Sequence, residues 1–260
     1  MARARKRHIQ LTFDQARKPD GRHGGWRPGA GRPPKPGAVS HAARPNEHAR
    51  FPRHVTLRVV DGAPSLAREG CLKILRAVVR ASHKDENGCS PNGMRPRKSR
   101  RESAALGAAG GFRIVEFNVL GNHIHLICEA GSTLALSRGI QGFCVRATSR
   151  LNAALGRAGQ LFAHRYHARA LKSPREVRNA IAYVLLNRKH HDADKRYGRM
   201  WIDPASSAAW FSGWSDRVRA DEVWKRELLG LPKPTAEPTT WLLTTGWKRH
   251  GLLRFDERPG

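Results

Sequence analysis

Acidic residues are scarce in this chain: 21 Asp and Glu stand against 48 Lys and Arg over 260 residues, a formal net charge of +27. A cationic partner is disfavoured by repulsion, and a polyphosphate, which releases condensed counterions to such a surface, is the default one. Cysteine is scarce too. Cys71, Cys89, Cys128 and Cys144 form no C-x-x-C pair, which argues against a zinc knuckle and against a disulfide framework. No apolar run reaches the length of a membrane span, and the basic N-terminus lacks the apolar stretch of a signal peptide. The expected compartment is therefore the cytosol, with no membrane partner.

Apolar residues are concentrated between about residue 54 and residue 188, and the first fifty residues are basic and rich in Pro and Gly. Such a segment cannot bury a core and reads as a disordered arm over 1–50. Its centre, Gly31-Arg32-Pro33 flanked by Arg27 and Lys35, is similar to an AT-hook, whose arginine lies in a narrow minor groove. A plain cationic tail is the alternative. The remainder divides into a domain at 51–190 and a Trp-rich, basic extension at 191–260.

Within the domain, His54 to Val60 is β-branched and alternating, a first strand. Ser65 then offers a cap for a helix carrying Leu66, Leu72, Leu75, Val78 and Val79 up to about Ser82. Residues 83–108 hold Asn87-Gly88, Pro91-Asn92-Gly93 and Arg95-Pro96-Arg97-Lys98 and read as a flexible basic insertion. Phe112 to Leu120 and Asn122 to Glu129 form an antiparallel hairpin. A helix from about Leu134 to Leu155 and a strand from Leu161 to Leu171 follow.

The hairpin's second strand opens on His123-Ile124-His125. Strand alternation aims both imidazoles at one spot, half of a metal site, and sends Ile124, Leu126 and Cys128 to the opposite face under a helix. The two histidines should then lie on the open surface of the sheet. The last helix of the domain has the clearest start signal: Ser173-Pro174-Arg175-Glu176 supplies an N-cap, a proline in the first turn and a capping-box glutamate. Val177, Ile181, Val184 and Leu185 make its core stripe, while Tyr183 and Asn187 share a flank and should meet the edge of the sheet. With 13 histidines in the chain, an H-x-H doublet arises by chance about 0.6 times. Its weight comes from the hairpin, and from a tyrosine with an amide one helical turn later.

Together, His-Ile-His at 123–125, the run Gly159-Gln160-Leu161-Phe162-Ala163-His164-Arg165-Tyr166, Ala182-Tyr183-Val184-Leu185-Leu186-Asn187 and the later Pro204…Ser206-Ser207 resemble the single-tyrosine HUH transposases, which include the insertion-sequence-200-like and REP-associated tyrosine transposases. The resemblance runs from about His54 to Gly213, and departs where Arg188 replaces the proline common after the asparagine. It implies an α+β fold with an antiparallel sheet backed by helices, ferredoxin-like and of the HUH endonuclease type. It makes His123 and His125 ligands of Mg2+ or Mn2+, Asn187 a third ligand, and Tyr183 the nucleophile that cleaves and rejoins single-stranded DNA through a 5′-phosphotyrosine. Single-stranded or hairpin DNA in a bacterial cytoplasm, at the nucleoid, is the implied setting, and a homodimer that supplies the tyrosine in trans stays open beside a monomer.

Tyr166, on the preceding strand, reads as a packing or base-stacking residue rather than the nucleophile. Arg165, Arg169 and Arg188, with Arg27, Arg32 and Lys35 of the arm, are the candidate phosphate-gripping cations. The tail tryptophans serve either to cap the core or to stack on bases. A non-catalytic DNA-binding protein that keeps this fold is the alternative function, and an RNA-binding sheet protein is a third.

Overall fold

Alternation of apolar and polar side chains builds a sheet with two unlike faces. The computed structural model describes residues 45–46, 48–83, 111–190, 196, 198, 201–215 and 230–259. Residues 1–44 of the expected arm, with Arg27, Arg32 and Lys35, and nearly all of the 83–108 insertion lie outside the described residues. Strand β1 (Arg53–Arg58) is followed by helix α1 (Glu69–Arg80), the hairpin of β2 (Arg113–Val119) and β3 (His123–Glu129), helix α2 (Thr133–Leu155), strand β4 (His167–Ala170) and helix α3 (Pro174–His190). The sheet order is β2-β3-β1-β4, with every neighbouring pair antiparallel. Two interlocked split β-α-β units in this order make an α+β, ferredoxin-like sheet.

Helices α1 and α2 cover one face. Val55 and Leu57 of β1, Phe117 and Val119 of β2, and Ile124, Leu126 and Cys128 of β3 are buried in one cluster with Leu72, Leu75, Val78 and Val79 of α1 and Leu136, Ile140, Phe143, Ala147 and Leu151 of α2. The helical residues recur at spacings of three and four, the period that lays one stripe on a sheet. Ser132 caps α2 by accepting the Ala135 amide at 3.0 Å, and Gly156 ends it at φ 61°, a left-handed geometry that glycine adopts without strain. Gly139 has a different reason: a Cβ there would lie 2.1 Å from the Phe112 ring, so only glycine lets the aromatic just ahead of β2 seat on α2.

Helix α3 lies on the other face. Its capping box is formed, with Glu176 N–H donating to Ser173 Oγ at 3.2 Å and Ser173 N–H donating to Glu176 Oε2 at 3.1 Å. Val177, Ile181, Val184 and Leu185 are buried against Val115, Ile127, Leu171 and the C-terminal residues Trp214, Leu242, Leu243, Trp247, Leu253 and Phe255. Leu242 and Leu243 belong to a one-turn helix, α4 (Trp241–Thr244). Trp214 and Trp247 therefore cap the core, whereas Trp241 is about half exposed with Arg249 over its ring. The α4 N-terminus is held by Glu129, at the end of β3, whose carboxylate accepts the Thr239 and Thr240 amides and hydroxyls.

Three sequence expectations change. Ser65 does not cap α1: it accepts the Ala67 amide in a turn, and the helix begins four residues later behind Arg68, which makes no side-chain cap. The strand expected from Leu161 to Leu171 is ordered as a strand only at His167–Ala170, with an isolated bridge from Phe162 to Val59. The sheet surface that bears the histidine doublet is not open, because α3 and the C-terminal residues cover its β2-β3 side. Among the described residues no helix is long and apolar enough to cross a membrane.

Candidate active site

The face beneath α3 is apolar at Val115 and Ile127, where the helix packs, and polar around them. Register places Thr56 opposite His125, Arg58 opposite His123 and His54 opposite Ile127, while β4 sets His167 opposite Thr56 and Arg169 opposite His54. On the far side Asn118 of β2 pairs with His125. One surface thus collects His54, Thr56, Arg58, Asn118, His123, His125, His167 and Arg169. The β2-β3 end of it is buried, His125 being 4% exposed and Asn118 fully enclosed, while His167 and Arg169 at the β4 edge are exposed.

The doublet is one unit. The His123 and His125 rings lie 4.8 Å apart, centroid to centroid, at 88°. His123 Nδ1 is 2.7 Å from Asn122 Oδ1. His125 Nδ1 is 3.2 Å from both Thr56 Oγ1 and His54 Nε2. Tyr183 closes over them, its ring 5.2 Å from His125 and 5.7 Å from His54, both edge-on. Such edge-to-face contacts fix an aromatic ring without sealing its polar tip. Tyr183 meets the doublet of its own chain, and Tyr166 packs on the opposite face with the α1-α2 core.

Helical periodicity predicts Asn187 at the sheet edge, on a shared flank with Tyr183. It is instead completely buried, and neither its amide nitrogen nor its amide oxygen finds a hydrogen-bond partner among the described residues. Between the two, Leu186 leaves helical geometry at φ −111°, ψ 15°, and α3 then continues to His190. The helix does run on where Arg188 replaces proline, but through a kink placed one residue before the asparagine.

His54 is a member of the site that sequence reasoning passed over. Burial, reinforced by the nearby Arg169 and His167, pushes its pKa down to about 4, so the ring is neutral at physiological pH. A signal existed in the period-two pattern His54-x-Thr56-x-Arg58 between Val55, Leu57 and Val59, which marks one polar face on a strand otherwise built for a core. Asp203 was also missed, and nothing local announces it. Its buried carboxylate pairs with Arg188 Nε at 3.2 Å and accepts from Asn118 Nδ2 at 3.1 Å and the Ala205 amide at 2.9 Å. Burial nevertheless raises its pKa against the pull of Arg188 and these donors. Of the expected phosphate-gripping cations, Arg165 and Arg169 are exposed, while Arg188 is engaged by Asp203.

Among the described residues no three His, Cys, Asp or Glu side chains are grouped to hold a metal. A cation at this place would use the His123 and His125 imidazoles and the Asn187 amide oxygen. The donor set fits a hydrated divalent ion: two neutral nitrogens and one oxygen leave room for solvent and phosphate oxygens. The buried, unsatisfied Asn187 carboxamide is what such an ion would explain.

No family model matches the chain, and no curated protein matches its sequence. Among solved structures, that of a REP-associated tyrosine transposase bound to a REP hairpin is similar over 65% of this chain and 82% of that one, at 14% identity and a TM-score of 0.40.

Proposed function

We propose that this chain cleaves and rejoins single-stranded DNA by nucleophilic attack of Tyr183, with assistance from Mg2+ or Mn2+, in DNA transposition or the processing of repeat elements. The observation that carries the reading is the contact of the Tyr183 ring with His125, 5.2 Å between centroids, on a polar sheet face in a protein of charge +27. The tyrosine oxygen forms a bond to the phosphorus of the scissile phosphodiester, and the bond from phosphorus to the 3′ oxygen breaks. The phenol proton leaves and the 3′ oxygen gains one, which gives a 5′-phosphotyrosine and a free 3′-hydroxyl. Because the phosphodiester bond is conserved in the link to protein, a 3′-hydroxyl can attack in reverse and rejoin the strand.

The remaining residues have separable parts. His123, His125 and Asn187 would hold the cation, which when bound neutralises phosphoryl charge and orients the scissile group. Arg169 and Arg165 are exposed cations suited to flanking phosphates. His54 and His125 bracket the phenol and limit its approach to one direction, the kind of positioning from which intramolecular rate gains arise.

The test uses hairpin-forming single-stranded oligonucleotides labelled at the 3′ end, incubated with Mg2+ or Mn2+ and resolved under denaturing conditions. The labelled fragment stays on the protein, and Tyr183→Phe abolishes the adduct without weakening DNA binding. Tight binding with no adduct on any hairpin makes the chain a non-catalytic DNA-binding protein. Preference for RNA with indifference to chelators makes it an RNA-binding sheet protein.

A further inference from the structure

Both imidazoles of the doublet are tied at the same ring nitrogen. Asn122 Oδ1, 2.7 Å from His123 Nδ1, is an acceptor, so the proton of that ring sits on Nδ1 and the lone pair on Nε2. His125 Nδ1 has Thr56 Oγ1 at 3.2 Å and His54 Nε2 at 3.2 Å. A cation binds only the nitrogen that carries the lone pair, and the partner of the other nitrogen selects the tautomer. Thr56 is well suited to that part. It stands directly opposite His125 across β1 and β3, and its branched side chain leaves little freedom at χ1. The His54 ring, 5.2 Å from that of His125 at 38°, flanks the same imidazole and restricts its rotation.

We propose that Thr56 is a positioning residue: its hydroxyl accepts the Nδ1 proton of His125 and so holds Nε2 ready for a divalent cation, as Asn122 does for His123. The proposal rests on the reading of the doublet as metal ligands.

Two measurements on the full chain decide it. Long-range ¹H-¹⁵N spectra of the histidine side chains, without metal, should show His125 protonated at Nδ1 in the wild type and in Thr56→Ser, and a population protonated at Nε2 in Thr56→Val. Mn2+ binding, followed by electron paramagnetic resonance, should weaken by about 10–100-fold in Thr56→Val and in Asn122→Ala, the range expected when an outer partner of a ligand is removed. Thr56→Ser should bind as the wild type does. Valine keeps the volume and strand preference of threonine, so Thr56→Val should fold, and its melting curve shows whether it has. Wild-type Mn2+ affinity in folded Thr56→Val, or His125 protonated at Nε2 in the wild type, overturns the proposal while leaving the doublet a ligand pair. Absence of Mn2+ binding in the wild type, or binding that His125→Ala leaves intact, removes the ligand reading and the proposal together.

Discussion

Asn187 presents a conflict at the scale of one residue. A buried amide with no partner costs about 1–3 kcal/mol, and it sits completely enclosed near the end of a helix that has an apolar stripe to spare. Leucine in its place removes the unsatisfied groups at little change of shape. Asn187→Leu should therefore raise Tm by about 2–4 °C and, at the same time, lower Mn2+-dependent adduct formation at least tenfold. Differential scanning calorimetry and the adduct assay read the two effects separately. A lower Tm with undiminished adduct would show that the amide serves packing and not chemistry. Tyr183 and the doublet were legible as candidates because their spacings match helical and strand periods. The burial of Asn187 was not, since neither the departure from helical geometry at Leu186 nor the enclosure of the residue after it has a signal in the local sequence.

Among the elements, β2 is extended by a segment far from it in sequence. Ser207 N–H donates to the Phe117 carbonyl at 2.9 Å, Phe117 N–H donates to Ser207 Oγ at 2.9 Å, and the Ser207 hydroxyl donates to Glu116 Oε2. Burial pushes the Glu116 pKa up from its ordinary 4.5 to about 8, against the Ser207 hydrogen bond and Lys233 and with the help of Glu237. The folded chain thus keeps a proton that the unfolded chain releases above about pH 4.5. The stability this gives is complete below that pH, declines as pH rises towards 8, and is gone beyond it. Tm of the wild type should fall between about pH 5 and pH 8 more than Tm of Glu116→Gln, whose side chain stays neutral. Parallel curves from calorimetry over that range would place the Glu116 proton elsewhere. The regular elements were readable where local signals agree with packing, as in the capping box of α3 and the alternating strands. The Ser206-Ser207 lamination was visible only as a similarity of residues, because no period or cap announces an edge pairing made between residues so distant along the chain.

For the whole molecule the question is how charge is divided. Ten of the 48 Lys and Arg fall in residues 1–40. The site face carries exposed cations of its own, Arg169 among them. Hairpin binding should therefore weaken steeply with salt, and deletion of residues 1–40 should flatten that slope by roughly 0.7–0.9 for each phosphate the segment neutralises, without abolishing the Tyr183 adduct. An unchanged slope would show that the basic N-terminus neutralises no phosphate. Net charge and the two-faced sheet were legible from composition and period. The packing of residues 230–259 onto α3 was not, since Trp214 and Trp247 are equally good as core caps or base platforms until their neighbours are known. The break at Leu186 has a mechanical meaning on this larger scale. On the proposed function, a DNA strand tethered to Tyr183 would load the helical piece ahead of the break. The piece behind it is anchored by Arg188 on Asp203 and by Lys189 on the Phe255 carbonyl, so a load taken up at Tyr183 would meet a break in the helix before it reached that fixed end.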